Sequence, residues 1–241
     1  MESVRLLFLR HLGASGPTLK KMKDDTAIEV DRLGVCYDGR WVLRDFSLRL
    51  GRGEKVVITG PSGTGKSTVL RCVLGLVMPQ EGSVHVFGQA MDGHHVWELR
   101  RQLAYVAQEP DLGSGTAREV IDHPFEYKAN ASLRGNLERL GELLERFNLP
   151  PSLMDKDMSA LSGGERQRIA LVSAILLDRS IILLDEASSA LDKDNKQAVV
   201  SFFQQARELT VLAVSHDTEW QGFSDQVVEL PDGSADGRSG E

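Results

Sequence analysis

The most informative motif of this 241-residue chain for its fold class is Gly60-Pro61-Ser62-Gly63-Thr64-Gly65-Lys66-Ser67. It fits G-x-x-x-x-G-K-[ST], the phosphate-binding P-loop that joins a strand to a helix. The apolar run Val56–Thr59 precedes it, and a helical pattern to about Leu76 follows it. Glycines let backbone N–H groups turn inward around phosphate oxygens, and the helix adds its positive N-terminal end. We therefore predict that Lys66 neutralises the β- and γ-phosphates of a nucleotide and that the Ser67 hydroxyl ligates Mg²⁺.

A second motif is Ile181-Ile182-Leu183-Leu184-Asp185-Glu186. Its four apolar residues predict a buried strand that ends in two acids. Because side chains alternate along a strand, the two carboxylates should point in different directions. We expect Asp185 to hold Mg²⁺, directly or through water, and Glu186 to polarise the attacking water as a general base.

A third motif, Leu161-Ser162-Gly163-Gly164-Glu165-Arg166-Gln167-Arg168, places a Ser-Gly-Gly turn before a predicted helix over 164–177. Such a turn is either an ordinary serine N-cap or a second phosphate cradle. Two cradles can serve one γ-phosphate only if they face each other. A head-to-tail pair of chains would achieve this, since each chain would lend its cradle to the other chain's site.

The rest of the chain alternates strands and helices, which predicts an α/β sheet with its ligand at the carboxyl ends of the strands. Further strands are expected at 27–33, 41–50, 83–87 and 211–214, and a further helix around 193–208. Residues 111–160 are helix-prone and indicate an inserted helical sub-domain. In it Leu137, Leu140, Leu144 and Phe147 follow helical spacing, and Pro150-Pro151 should end that helix. The predicted organisation is a flexible extension over 1–26, one domain over 27–230 and a disordered tail over 231–241.

Composition excludes several classes of protein. Hydrophobic residues make up 41% and charged residues 26%, as in ordinary globular domains. The net charge of −7 argues against a broad nucleic-acid-binding surface, so no nucleic-acid partner is expected. Two cysteines cannot build a disulfide framework or a zinc site. No apolar run approaches the roughly 18 residues of a membrane span. The segment Met1–Lys21 is read either as a frayed extension or as sequence upstream of a true start at Met22.

Together these motifs resemble the ATP-binding cassette (ABC) ATPases, for which LSGGERQR is the signature, and the resemblance covers about residues 27–230. It implies a P-loop NTPase core with an antiparallel β sub-domain and an inserted helical sub-domain. It also implies that Tyr37 stacks on adenine and that Gln108 lies near Mg²⁺ and the attacking water. His216 would then contact the γ-phosphate. The nucleotide site implied by the family comprises Tyr37, Gly60, Pro61, Ser62, Gly63, Thr64, Gly65, Lys66, Ser67, Thr68, Ser162, Gly163 and Gly164.

Two positions depart from the commonest family pattern. Ala187-Ser188 stand where Pro-Thr often follows the two acids, and neither residue contributes a catalytic group. Leu112 is followed by Gly113 where many members have Leu-Phe, in a segment that usually touches the membrane subunit. Ser189-Ala190-Leu191-Asp192 matches the D-loop of the dimer interface.

The resemblance implies an ATPase with ATP and Mg²⁺ as cofactors. Its expected partners are a second copy of the chain and an integral membrane permease, at the cytoplasmic face of the inner (plasma) membrane. Short stretches, among them 144–150 and 191–196, are similar to the FetA/YbbL type of iron or metal exporter ATPase. The alternatives are a soluble ABC ATPase in metal-cluster assembly or regulation, and a non-hydrolysing switch. Intact Glu186 and His216 argue against the switch.

Overall fold

A computed structural model describes residues 25–231, and the predictions for residues 1–24 and 232–241 lie outside this range. The strands are β1 (Thr26–Tyr37), β2 (Arg40–Gly51), β3 (Lys55–Thr59), β4 (Glu81–Val86), β5 (Gln89–Ala90), β6 (Leu103–Val106), β7 (Ile181–Asp185), β8 (Thr210–Val214) and β9 (Gln226–Glu229). The α-helices are α1 (Lys66–Val73), α2 (Val96–Arg100), α3 (Ala117–Asp122), α4 (Leu140–Arg146), α5 (Gly163–Leu176), α6 (Lys193–Gln205) and α7 (Thr218–Phe223). Four 3₁₀ segments cover His123–Glu126, Lys128–Arg139, Pro151–Asp155 and Met158–Ala160.

A four-stranded antiparallel sheet has the order β2-β1-β4-β5. Strands β1 and β2, which cover the predicted strands at 27–33 and 41–50, form an antiparallel hairpin with Tyr37 paired to Arg40. The two turn residues, Asp38 and Gly39, both have positive φ (49° and 77°), the requirement of the type I′ turn that matches strand twist. The hairpin therefore holds Tyr37 at the tip of the sheet.

A five-stranded parallel sheet has the order β6-β7-β8-β3-β9 and is covered on both faces. Alternating side chains of one strand enter different cores: Ile181 and Leu183 pack with α1 and the antiparallel sheet, whereas Ile182 and Leu184 pack with α5 and α6. This burial on both faces explains why β7 and β8 are continuous apolar runs. The carboxyl ends of β3, β6, β7 and β8 lie along one edge of this parallel sheet. Each of these ends leads into a predicted functional motif.

The region 111–160 is only partly α-helical, contrary to the continuous helical pattern predicted from Leu137. Residues Lys128–Arg139 form 3₁₀ turns, and none of them is buried. An α-helix gains most of its stability from a buried face, and in this stretch only Leu133 and Leu137 pack, partly buried, against the core. Side-chain amides also hold it, as when Asn136 Nδ2 donates to Leu176 O over 2.9 Å.

Two helices end earlier than predicted because each closes in a Schellman motif. In α4, Asn148 has φ of 52°, and Leu149 N–H donates to Leu144 O, so the helix ends before Pro150-Pro151 rather than at them. In α1, Gly75 (φ 66°) plays the same part. Among residues 25–231, every helix is too short or too polar to cross a bilayer.

Candidate active site

The loop between β3 and α1 is a tight cradle that needs glycine at two positions. At Gly60 (φ 136°) a side chain would meet Leu230 O at 2.3 Å, and at Gly65 (φ 93°) it would meet Leu43 Cγ at 2.8 Å. The Lys66 side chain is buried, and its Nζ donates to Gly60 O over 2.8 Å and to Pro61 O over 2.7 Å. The ammonium therefore lies inside the loop, where a P-loop holds phosphate.

Ser67 and Asp185 meet at the carboxyl edge of the parallel sheet. Ser67 Oγ donates to Asp185 Oδ1 over 2.8 Å, and Tyr105 Oη donates to Asp185 Oδ2 over 3.2 Å. A hydroxyl and a carboxylate are hard oxygen donors, and Mg²⁺ typically takes one or two such protein ligands beside phosphates and water. These residues therefore fit Mg²⁺. In the described part of the chain no group of three or more His, Cys, Asp and Glu side chains could hold a metal ion.

Glu186 lies where three segments converge. Its φ of 48° turns the chain out of β7, while its N–H still donates to Val214 O over 2.9 Å. Its Oε2 accepts from Gln108 Nε2 over 3.1 Å, and its Oε1 lies 3.6 Å from His216 Nε2. Asp185 and Glu186 thus point to different partners, as strand alternation predicts. The amide of Gln108 is bonded to Glu186 and not to Ser67 or Asp185, so the structure places it beside the predicted base and not within the oxygen pair that fits Mg²⁺.

Tyr37 stands at the end of β1 with 43% of its surface exposed. The same hairpin packs against the P-loop, since Val42 and Leu43 of β2 are the nearest side chains to Gly65. The ring is therefore free to contact a ligand beside the loop.

Ser162 is the N-cap of α5, and it forms a complete capping box with Glu165. Ser162 Oγ accepts from Glu165 N–H over 3.2 Å, and Glu165 Oε2 accepts from Ser162 N–H over 2.8 Å. That backbone hydrogen bond lowers the pKa of Glu165. A hydrogen bond from the Ser162 hydroxyl to the same carboxylate lowers this pKa further, so the Ser162 side chain is engaged in capping α5.

The cradle at α5 is separate from the P-loop of the same chain. Within residues 25–231, no hydrogen bond or ion pair joins segment 60–67 to segment 161–165. A cleft of about 730 Å³ lies instead between segment 108–114 and the start of α5. At the carboxyl edge of the sheet, Ser67 is therefore linked to Asp185, and Gln108 and His216 lie against Glu186. Ser162, Gly163 and Gly164 make no such link to the P-loop, although Gly163 lines the same cleft as Gln108.

Sequence reasoning missed several residues that support the site. Tyr105 holds Asp185, and Gln167 Nε2 donates to Ala107 O over 3.1 Å, which links α5 to the segment carrying Gln108. Gln167 is buried although the signature motif that contains it is rich in charged and polar residues. The available signal for Tyr105 was its place in the run just before Gln108, which forms β6 beside the predicted acidic strand.

Comparison with known proteins shows the family to which this chain is similar. A sequence model described as ABC transporter matches residues 43–189. The chain is 32% identical over 206 residues to the "Probable iron export ATP-binding protein FetA" of Escherichia coli K12, which covers 84% of this chain and 90% of that protein. It is 31% identical over 215 residues to the energy-coupling factor transporter ATP-binding protein EcfA1 of Leuconostoc mesenteroides, with 86% and 78% covered.

Two solved structures share the fold. The dimeric structure of MJ0796, a bacterial ABC transporter cassette, superposes with a TM-score of 0.75 at 28% identity, over 86% of this chain and 95% of that chain. A dimeric post-hydrolysis state of the same cassette, bound to ADP and Pi, superposes with a TM-score of 0.73 at 26% identity, over 84% and 94%.

Proposed function

Because the chain belongs to the ABC transporter family of ATP-binding cassettes, and is therefore an ATPase, we propose that it powers an integral membrane permease as half of a head-to-tail, ATP-dependent dimer. The observation that carries this proposal is the division of the site. The groups for hydrolysis converge at the carboxyl edge of the parallel sheet, while Ser162 and its glycines make no hydrogen bond to the P-loop of their own chain. In the dimer, a second copy of the chain supplies its Ser162, Gly163 and Gly164 to this site.

ATP binds first through the P-loop. Lys66 exchanges its loop carbonyl partners for the β- and γ-phosphates, and the backbone of residues 60–68 surrounds the phosphate oxygens. Tyr37 stacks on the adenine with its exposed ring.

Ser67 and Asp185, already hydrogen-bonded to each other, are the residues that would hold Mg²⁺. When bound there, Mg²⁺ supplies neutralisation of charge on the β- and γ-phosphate oxygens. Tyr105 keeps the second oxygen of Asp185 occupied and so fixes the orientation of the carboxylate.

Hydrolysis proceeds at Glu186. Its carboxylate takes a proton from water, the water oxygen bonds to the γ-phosphorus, and the bond from that phosphorus to the β,γ-bridging oxygen breaks to release ADP. Gln108 orients the carboxylate and the water, and His216 stabilises charge on the γ-phosphate. Positioning and electrostatics dominate such catalysis because the protein forms no covalent bond with the phosphoryl group.

We place the dimer at the cytoplasmic face of the membrane, where closing and reopening of the two cassettes moves the permease. For its cargo we favour iron or another metal in export. The FetA relative supports this choice because the alignment spans 90% of its length, against 78% for EcfA1. An energy-coupling-factor type of substrate is the competing assignment.

A capture experiment tests the permease partner. Glu186→Gln, loaded with ATP–Mg²⁺, is used as bait on detergent-solubilised membranes of the source, and the same bait without nucleotide is the control. We expect one integral membrane protein, identified by mass spectrometry in near-equal amount and only with nucleotide. Recovery of soluble partners alone, with ATP binding intact, would instead favour the assembly or regulatory class.

A transport assay with the captured membrane protein then identifies the transported substrate. The pair is reconstituted in vesicles with the cassettes outside, and ATP-dependent uptake of Fe²⁺ is compared with that of other divalent metals and of vitamins. Uptake into such vesicles corresponds to export from the cell, so metal accumulation supports the proposal. Metal-independent ATPase activity together with vitamin binding by the complex contradicts it.

A further inference from the structure

The loops that follow β7 and β8 are tied by a chain of hydrogen bonds that the roles above do not use. Ser188 Oγ donates to Asp217 Oδ2 over 2.7 Å and accepts from Trp220 Nε1 over 2.9 Å. Asp217 Oδ1 accepts from Lys196 Nζ over 2.7 Å. These hydrogen bonds therefore join the segment after Asp185 and Glu186 to α6, to α7 and to the residue that follows His216.

The residues that make these hydrogen bonds are largely buried. Ser188 is 1% exposed and Trp220 is 2% exposed, so water does not compete for the serine hydroxyl. The Lys196 and Asp217 side chains are only about a fifth exposed, at 21% and 22%. Hydrogen bonds in such surroundings are stronger than in water and fix geometry.

The two reacting side chains lie between this chain and a second tie. On one side, Glu186 N–H donates to Val214 O over 2.9 Å. On the other side, Ser188, two residues after Glu186, is bonded to Asp217, the residue after His216. Between these ties His216 Nε2 lies 3.6 Å from Glu186 Oε1. Neither tie involves the carboxylate of Glu186 or the imidazole of His216, so both ties contribute to the separation of these two groups without occupying them.

We propose that the hydrogen bond between Ser188 and Asp217 positions His216 against Glu186, which makes Ser188 and Asp217 positioning residues for ATP hydrolysis. The proposal rests on the roles proposed above for Glu186 and His216. Ser188 stands where the family often has threonine, and both residues carry the hydroxyl that this bond requires. Asp217 is free for the task because its side chain does not cap α7.

The test is a kinetic cycle on ATP hydrolysis by the full chain. Ser188→Ala should lower kcat by about 10-fold or more, because sub-ångström misplacement of catalytic groups is costly, while KM for ATP stays within about 2-fold. Ser188→Thr, which keeps the hydroxyl, should stay within about 3-fold of the wild-type kcat. In a His216→Ala background, Ser188→Ala should change kcat by less than about 2-fold, since the group it positions is already gone.

Several outcomes would overturn the proposal. An unchanged kcat in Ser188→Ala removes the positioning role. An equal loss in both backgrounds means that Ser188 acts through general structure and not through His216. Thermal melting checks that each variant is folded. Should Ser188→Ala not fold, Asp217→Ala takes its place in the same cycle, with the same expectations. Failure of the underlying assignment is separately visible, since Glu186→Gln would then keep near-normal turnover.

Discussion

Tyr105 is the residue whose ionisation reports on the acidic end of β7. Burial, reinforced by the neighbouring carboxylate of Asp185, raises the pKa of its phenol from 10.0 to about 12. A group whose pKa is raised on folding stabilises the folded state below its unfolded pKa, and this contribution is lost as pH rises through the folded pKa. We expect the free energy of unfolding to fall from about pH 10 to about pH 12 more steeply in the wild type than in Tyr105→Phe. Urea unfolding at a series of alkaline pH values measures this, and parallel curves would contradict it.

Tyr37 carries a prediction about affinity and not about stability. Because its ring is 43% exposed at a hairpin tip, Tyr37→Ala should leave the melting temperature nearly unchanged. Loss of a base stack should weaken ATP binding by about 1–3 kcal/mol. Titration calorimetry on a Glu186→Gln background measures this without turnover, with Tyr37→Phe as the matched control that keeps the ring. Equal affinity for the alanine and phenylalanine variants would make Tyr37 a structural residue.

The sequence could predict those residues of the site that belong to recognisable motifs. Lys66, Ser67, Asp185 and Glu186 lie in contiguous motifs whose spacing itself carries the chemistry. Tyr105 and Ser188 could not be recognised in this way. Their roles depend on which strands are neighbours, as when β6 pairs with β7 and so brings Tyr105 to Asp185.

At the scale of one element, the start of α5 joins stability to the signature motif. The lowered pKa of Glu165 means that its contribution is present above the unfolded pKa and lost as pH falls through the folded one. Glu165→Ala should cost about 0.5 kcal/mol at neutral pH, the low end for a lost cap since the carboxylate is solvent-screened. Glu165→Gln should keep the capping box but lose this acidic pH dependence. Urea unfolding at pH 7 and pH 4 distinguishes the two variants, and equal stabilities at pH 7 would show that the box contributes nothing.

Elements were predictable where burial and periodicity agree. Strands β3, β7 and β8 are continuous apolar runs, and all three form as predicted. Strand β9 was not predicted, because its four residues are mostly exposed at a sheet edge and carry little hydrophobic signal. Helix ends were misjudged for a similar reason. The closing motifs at Gly75 and Asn148 rely on single residues with positive φ, which apolar periodicity does not reveal.

At the scale of the whole molecule, the parallel sheet separates two cores and presents one functional edge. The predicted α/β cassette fold with an antiparallel sheet is confirmed, since the solved cassettes superpose on it. The assembly could be argued only indirectly from the sequence, because two phosphate cradles in one chain leave open whether they face each other. The separation of Ser162 from the P-loop makes a partner chain the natural complement.

That complement leads to a prediction about assembly. Glu186→Gln should hydrolyse ATP about 10²–10⁴-fold more slowly, because it lacks the general base, and should therefore stay dimeric with ATP–Mg²⁺. Adding Gly163→Asp should abolish the dimer while preserving ATP binding. A side chain at Gly163 meets nothing within 4 Å of its own chain, and an acid in the first turn of α5 suits that helix. In the dimer the same carboxylate would face the partner's γ-phosphate and repel it. Sedimentation velocity with ATP, beside calorimetric binding of ATP, measures both properties. A stable dimer of the double variant would show that the α5 cradle does not close on the partner's nucleotide, and the head-to-tail arrangement would be wrong.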